Sequence, residues 1–327
     1  MWHMTAKRWI ALAIAAVLLI LYAVGQMASG ALVTAESGDI REEVLEQGNL
    51  DKIAVIDVEG VIMDQPQGAF QQAGYHHKTF MDQLEHAFED DQVKGIILQI
   101  NSPGGGVVES DEIYHKIRDF KEEYPDKPIV TYMSNTAASG GYYIAAPTDK
   151  IYANRSTITG SIGVIISTYD ISELAENWGI KDNSFTSGPH KDILSPMRET
   201  TDEEREIIQS IVDEMYDQFV DVVDQGRTNL SRQEVVELAD GRIYTGGQAQ
   251  RAGLVDEIGF LDDSIAGVSD LAGVENPTVV RYKRSGMAFM NEYFGVIGDF
   301  GSRFERTGLQ DFFHAPNQPY AMYLMTW

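Results

Sequence analysis

Gly95-Ile96-Ile97-Leu98-Gln99-Ile100, followed at once by Asn101-Ser102-Pro103-Gly104-Gly105-Gly106, is the stretch that decides the fold. The first six residues form a short, almost continuous apolar run, the signature of a strand buried on both faces. The next six break it, because Pro103 lacks an N–H and the three glycines carry no side chain to hold either regular form. A helix reads over Glu109 to Glu123. Strand, glycine turn, helix is the repeating unit of an open α/β sheet, and ligands bind such sheets at the carboxyl ends of the strands.

The same alternation runs outward on both sides. Ile53 to Val58 reads as a buried strand, Lys78 to Glu89 as a helix and Pro128 to Met133 as a third strand. Beyond it a helix is expected through Tyr142 to Ala146, short strands at 150–152 and 162–166, a helix at 171–178 and a strand at 183–186. The clearest helix starts at Thr201, where Thr201 and Glu204 have capping-box spacing. Its apolar stripe is Ile207, Ile208, Ile211, Val212, Met215, Phe219, Val222 and Val223, and Gly226 ends it. Ser231 with Glu234, and Thr245 with Gln248, repeat the start signal, and Gly253 stops the last helix. The fold class expected is α/β, with a mostly parallel sheet flanked by helices.

Composition narrows the function. The 327 residues carry 50 acidic against 25 basic side chains, a formal net charge of −25, which repels phosphates and argues against nucleic acid as a partner. There is no cysteine, so thiol nucleophiles, disulfides and thiolate metal sites are excluded. The seven histidines form no HExxH pattern, no nucleotide-binding loop is present, and neither metal nor cofactor is expected.

Trp9 to Val24 is an apolar run that Gly25 to Ala28 extends to about 20 residues, long enough to cross the ~30 Å hydrocarbon layer. Lys7 and Arg8 precede it and acidic residues follow, so a single-pass anchor with the body on the extracytoplasmic side is expected. A cleaved signal peptide ending near Ala28-Ser29-Gly30-Ala31 and a buried soluble helix are the other readings. The division expected is 1–8 cytoplasmic, 9–28 transmembrane, 29–50 linker, 51–275 catalytic and 276–327 tail. The tail is aromatic and β-prone, and is expected to pack on its own subunit or a neighbour, in or near a substrate groove.

Three segments could carry chemistry. Ser139 stands in Thr136-Ala137-Ala138-Ser139-Gly140-Gly141-Tyr142-Tyr143, among small residues at a helix start. Backbone N–H groups there can hold a tetrahedral oxyanion, although a serine in that place can simply cap the helix. The glycines of 104–106 offer further N–H donors, for a carbonyl oxygen or a phosphate, or make a plain turn. Lys191 lies in Ser187-Gly188-Pro189-His190-Lys191-Asp192. A lysine becomes a base only when burial disfavours its charge; in solvent it is a plain surface charge. His190 and Asp192 offer the rival Ser139/His190/Asp192 triad, against which stands their crowding in one loop.

Taken together, NSPGGG, TAASGGYYIA, TGSIGV and SGPHKDILSP, in this order over residues 52–275, resemble the signal peptide peptidase A family of serine peptidases. The resemblance implies a Clp-protease/crotonase-like fold preceded by a transmembrane helix. It implies Ser139 as nucleophile, Lys191 as general base and Ser161 as the residue that orients the lysine. It implies an oxyanion hole from Gly105, Gly106 and Gly140. Its implied substrates are apolar peptides, remnant signal peptides above all, and its implied assembly is a ring-shaped homo-oligomer with sites built between subunits. Three other readings share these residues: a membrane peptidase dedicated to one membrane protein, a crotonase-like acyl-CoA enzyme, and a non-catalytic oligomeric scaffold.

Overall fold

A computed structural model of the chain describes residues 40–64, 75–284 and 321–325. Among them the strands are β1 (Ile40–Glu46), β2 (Lys52–Glu59), β3 (Val93–Ser102), β4 (Gly104–Gly106), β5 (Ile129–Ala138), β6 (Lys150–Ala153), β7 (Ile158–Gly160), β8 (Ile243–Thr245), β9 (Glu257–Ile258), β10 (Thr278–Arg284) and β11 (Met322–Leu324). The helices are α1 (His77–Glu89), α2 (Val107–Glu123), α3 (Gly140–Ala145), α4 (Ser172–Asn177), α5 (Asp202–Gly226), α6 (Arg232–Leu238), α7 (Gly246–Arg251) and α8 (Leu261–Ala272).

The main sheet runs β1-β10-β2-β3-β5-β6-β9, with β7 beside β5 and β8 beside β7. The central pairs are parallel, and their strands are apolar on both faces. Alternation sorts the side chains. Ala54, Ile56, Val58, Ile96, Leu98 and Ile100 face the larger core, under α1, α2, α3 and α5. Ile53, Val55 and Ile97 face a smaller one closed by Val268 of α8. Both faces of the sheet are thus covered, and the carboxyl ends of β3 and β5 remain at one edge with their loops free to build a site.

Several expectations change. The sheet is mostly parallel but mixed, because β1 pairs antiparallel with β10 and β7 antiparallel with β8. Strand β1 lies in the stretch read as linker. Charged residues dominate it, so apolar periodicity could not reveal an edge strand. Residues 162–166 and 183–186 are not strands. The stripe of α5 is buried only toward its end, at Phe219, Val222 and Val223, while Ile211 stays 37% exposed. Periodicity identifies an apolar face and not what covers it.

The membrane anchor is also corrected. Among the described residues no helix is long and apolar enough to cross a membrane. The longest of them, α5, has the length at 25 residues but opens on Asp202, Glu203 and Glu204. The span expected at 9–28 lies outside the described residues. The anchor, the single-pass extracytoplasmic placement and the membrane as a partner are therefore unsupported, and none is carried forward.

Candidate active site

Two neighbouring parallel strands deliver two serines to one place. Strands β5 and β7 pair Ala138 with Gly160, their last residues, and the residues that follow are Ser139 and Ser161. The Ser139 N–H donates to the Gly160 carbonyl at 2.8 Å, and the Ser161 N–H to Arg242 at 2.8 Å. Both serines have positive φ, 52° and 50°. That region is uncommon for residues with a Cβ and is held only where surrounding structure enforces it. Here the enforcement is α3, entirely buried, which starts at Gly140 immediately after the turn. Ser139 is 1% exposed, and its Oγ has no hydrogen-bond partner.

The glycine turn lies alongside. The Gly106 N–H donates to the Ile62 carbonyl at 2.8 Å, and the Gly104 carbonyl accepts from Ile62 N–H at 2.9 Å. Gly106 is therefore committed to Ile62 and is not free to serve an oxyanion. Alternation along β4 turns the N–H of Gly105 to the opposite side. On that side lies the chain's own tail. Strand β11 runs antiparallel to β4, with Met322 opposite Gly106, Tyr323 opposite Gly105 and Leu324 opposite Gly104. Met322 exchanges two hydrogen bonds of 3.1 Å with Ile165, and Met325 N–H donates to Pro103 at 2.9 Å. The tail is thus an extended peptide held on both edges.

The Tyr323 carbonyl oxygen sits in the angle between the glycines. A Cβ on Gly104, where φ is +102°, would come 2.0 Å from it, and a Cβ on Gly140 would come 3.2 Å from it. Glycine is needed here because a backbone oxygen approaches closer than any side chain permits. The Tyr323 side chain is fully buried. Its ring stacks on Tyr143 at 4.8 Å and meets Phe219 at 4.7 Å, and its hydroxyl donates to Met215 O at 3.0 Å. Tyr143 is fixed by its hydroxyl bond to Asp111 at 2.7 Å, which Gln218 shares. Burial pushes both phenols well above the usual tyrosine range. As site residues Ile62, Ile165, Tyr143, Phe219 and Met215 escape sequence reading because they come from distant parts of the chain: two loops, α3 and, for Met215 and Phe219, α5. Only Tyr143, four residues after Ser139, carried a local hint.

Lys191 is exposed, on a turn closed by its own N–H to Gly188 O at 3.3 Å. Because Ser139 Oγ has no partner, the two side chains are not bonded to each other within this chain. The histidine triad is not assembled either. His190 faces Glu203 and Glu204, each at 3.7 Å, and Asp192 is bound by Arg198. One group of possible metal ligands was not legible in the sequence: Glu42, His86 and Asp90, with ligand atoms within 4.8 Å. The Lys52 ammonium already lies between its carboxylates, 2.9 Å from Glu42 and 3.5 Å from Asp90.

The chain is similar to known peptidases. Residues 121–275 match peptidase family S49, and residues 63–173 match the Clp protease family. A signal peptide peptidase SppA of Enterococcus faecium is 42% identical over 308 residues, 89% of each chain. A protease of Methanocaldococcus jannaschii is 36% identical over 71% of this chain and 74% of its own. A protease of Synechocystis is 42% identical over 68% of this chain and 76% of its own. A strand-delivered serine beside a glycine turn, and relatives matched along most of their length, together make this chain a protease that belongs to peptidase family S49.

Proposed function

We propose that the chain is a serine endopeptidase that cleaves apolar peptides bound as an extended strand on β4. The observation that supports this is the seat of β11: a peptide strand lies on the glycines next to Ser139, with one carbonyl oxygen between Gly104 and Gly140. A substrate in the same place puts its scissile carbonyl there and the preceding side chain in the Tyr143, Phe219 and Met215 pocket.

In this reading neutral Lys191 takes the Ser139 hydroxyl proton while Oγ bonds to the carbonyl carbon. The oxyanion is held by the N–H groups of Gly105 and Gly140. Lys191 then gives the proton to the leaving nitrogen as the C–N bond breaks. Water hydrolyses the ester by the reverse route, with Lys191 as base again. Ser161, one strand over, hydrogen-bonds the amine and orients it. A lysine exposed in its own chain needs cover to lose its charge, so Lys191 acts on Ser139 of a second copy of the chain. Tyr169 at 81%, Trp178 at 75% and Phe185 at 100% exposure lie on the same segment and supply the apolar cover.

The experiment is subunit complementation with a fluorogenic apolar peptide. Ser139→Ala and Lys191→Ala are each expected to be inactive, and mixing them after dissociation is expected to restore part of the activity. An active Lys191→Ala variant would remove the lysine from the mechanism. Two inactive parents whose verified mixed assemblies stay inactive would place both residues in one chain.

A further inference from the structure

The mechanism leaves unused an ionic clamp beside the lysine. Arg198 donates from Nε to Asp192 Oδ2 at 2.9 Å and from Nη2 to Asp192 Oδ1 at 2.7 Å. The same guanidinium reaches Glu204 in the first turn of α5, with Nη1 to Oε2 at 2.8 Å and Nη2 to Oε1 at 2.6 Å. Glu204 is 1% exposed, and its Oε2 also accepts the Thr201 N–H at 3.0 Å. One planar fork therefore ties the residue after Lys191 to the start of the longest described helix. Lysine could not hold two carboxylates in this way.

The turn it holds is under tension. Leu194 has a φ of 65°, and its carbonyl accepts from Thr168 Oγ1 at 3.2 Å. Among the described residues its other ties are short local hydrogen bonds, Ile171 N–H to Pro196 O at 2.8 Å, and His190 facing Glu203 and Glu204 at 3.7 Å. The electrostatics are one-sided. The acidic groups around the turn are Asp192, Glu199, Asp202, Glu203 and Glu204, with Asp170 from the segment before α4. Against them stand Arg198, Arg205 (whose charge reaches Asp170) and His190, which is basic only when protonated. Without Arg198, the carboxylates of Asp192, which follows Lys191, and of Glu204, which faces His190 just before it, would lose their guanidinium partner, and unpaired negative charge near an amine favours its charged form.

We propose that Arg198 is a positioning residue for catalysis: by pairing Asp192 with Glu204 it fixes the turn that carries Lys191 and keeps both carboxylates from holding the amine protonated. This rests on Lys191 being the general base. Arg198 touches neither substrate nor reacting atoms and acts through the lysine alone.

The test compares kcat and KM from pH 6 to 10 for the full chain and for Arg198→Met, Arg198→Lys and the triple variant Arg198→Met/Asp192→Asn/Glu204→Gln. Arg198→Met is expected to move the pH midpoint of kcat upward, with about tenfold less activity at neutral pH for each unit moved. Activity returns at alkaline pH, and KM stays within about twofold, as expected for a group remote from substrate. Arg198→Lys keeps the charge and moves the midpoint less. The triple variant, with no carboxylates left to pair, returns the midpoint toward that of the parent. Should Arg198→Met not fold, the lysine and triple variants carry the comparison. A loss of kcat by one factor at every pH, or an unmoved midpoint in all three, overturns the proposal. Lys191→Ala in the same assay separates the two levels: if it remains active the base assignment fails, and if it is dead while no midpoint moves, only the role of Arg198 fails.

Discussion

Replacing Ser139 should make the protein more stable as it makes it inactive. The hydroxyl is buried and has no hydrogen-bond partner. A buried polar group left unsatisfied costs about 1–3 kcal/mol, so Ser139→Ala recovers a contribution of that order. Alanine keeps the strain of a backbone at φ 52°, ψ −116°. Glycine relieves that strain, of order 1–3 kcal/mol, against about 0.5–1 kcal/mol for the freer unfolded chain. The expected order of stability is therefore Ser139→Gly above Ser139→Ala above the parent. For a domain of this size each kcal/mol is about 2–4 °C of melting temperature. The assay is thermal and urea unfolding of the three proteins, with peptide hydrolysis in parallel. Both variants should be inactive, with slopes in urea unchanged. A parent protein more stable than Ser139→Ala would refute the reasoning, since its hydroxyl would then be contributing to the fold rather than held for chemistry.

Three further outcomes follow from the same geometry. Deleting residues 315–327 removes the strand seated on the glycine turn and is expected to raise peptide hydrolysis; unchanged activity and unchanged assembly size would show that β11 does not compete with substrate. Gly105→Ala places a Cβ 1.9 Å from the Ile62 carbonyl, so β4 must shift; activity is expected to fall at least about 100-fold, the scale of one lost oxyanion donor, and an unimpaired variant would exclude this donor. The hydrogen bonds from Arg198 and the Thr201 N–H hold the Glu204 carboxyl down at about 2, below its ordinary 4.5. The resulting stability is fully present above about 4.5 and is lost as pH falls from there through about 2. Acid unfolding curves of the parent and Glu204→Gln should therefore differ above about pH 4.5 and converge below about pH 2; parallel curves would show that the pair adds nothing.

Much of the frame was legible in the sequence, for a physical reason. A strand buried on both faces must be apolar throughout, so β2, β3 and β5 announce themselves. Capping boxes at Thr201, Ser231 and Thr245 place α5, α6 and α7 because they satisfy backbone donors through side chains three residues away. These signals are local, and they determined the α/β class, the serine at a helix start and the glycine turn; that β5 runs on to Ala138, directly before Ser139, they did not show.

Only the tertiary structure decided the rest. Charged β1 becomes a strand because β10 offers it an edge, and no local pattern encodes that partner. Gly105 and Gly106 look alike in sequence, yet Ile62 takes the N–H of one and leaves the other to face the groove. Ser139 and Ser161 meet because parallel register puts the residues after Ala138 and Gly160 side by side. The tail finds β4 from more than two hundred residues away along the chain, and Arg198 joins a loop to a helix start. Each of these is a contact between segments whose sequences carry no sign of one another, set by which backbone donors and buried charges remain to be satisfied once the sheet has formed.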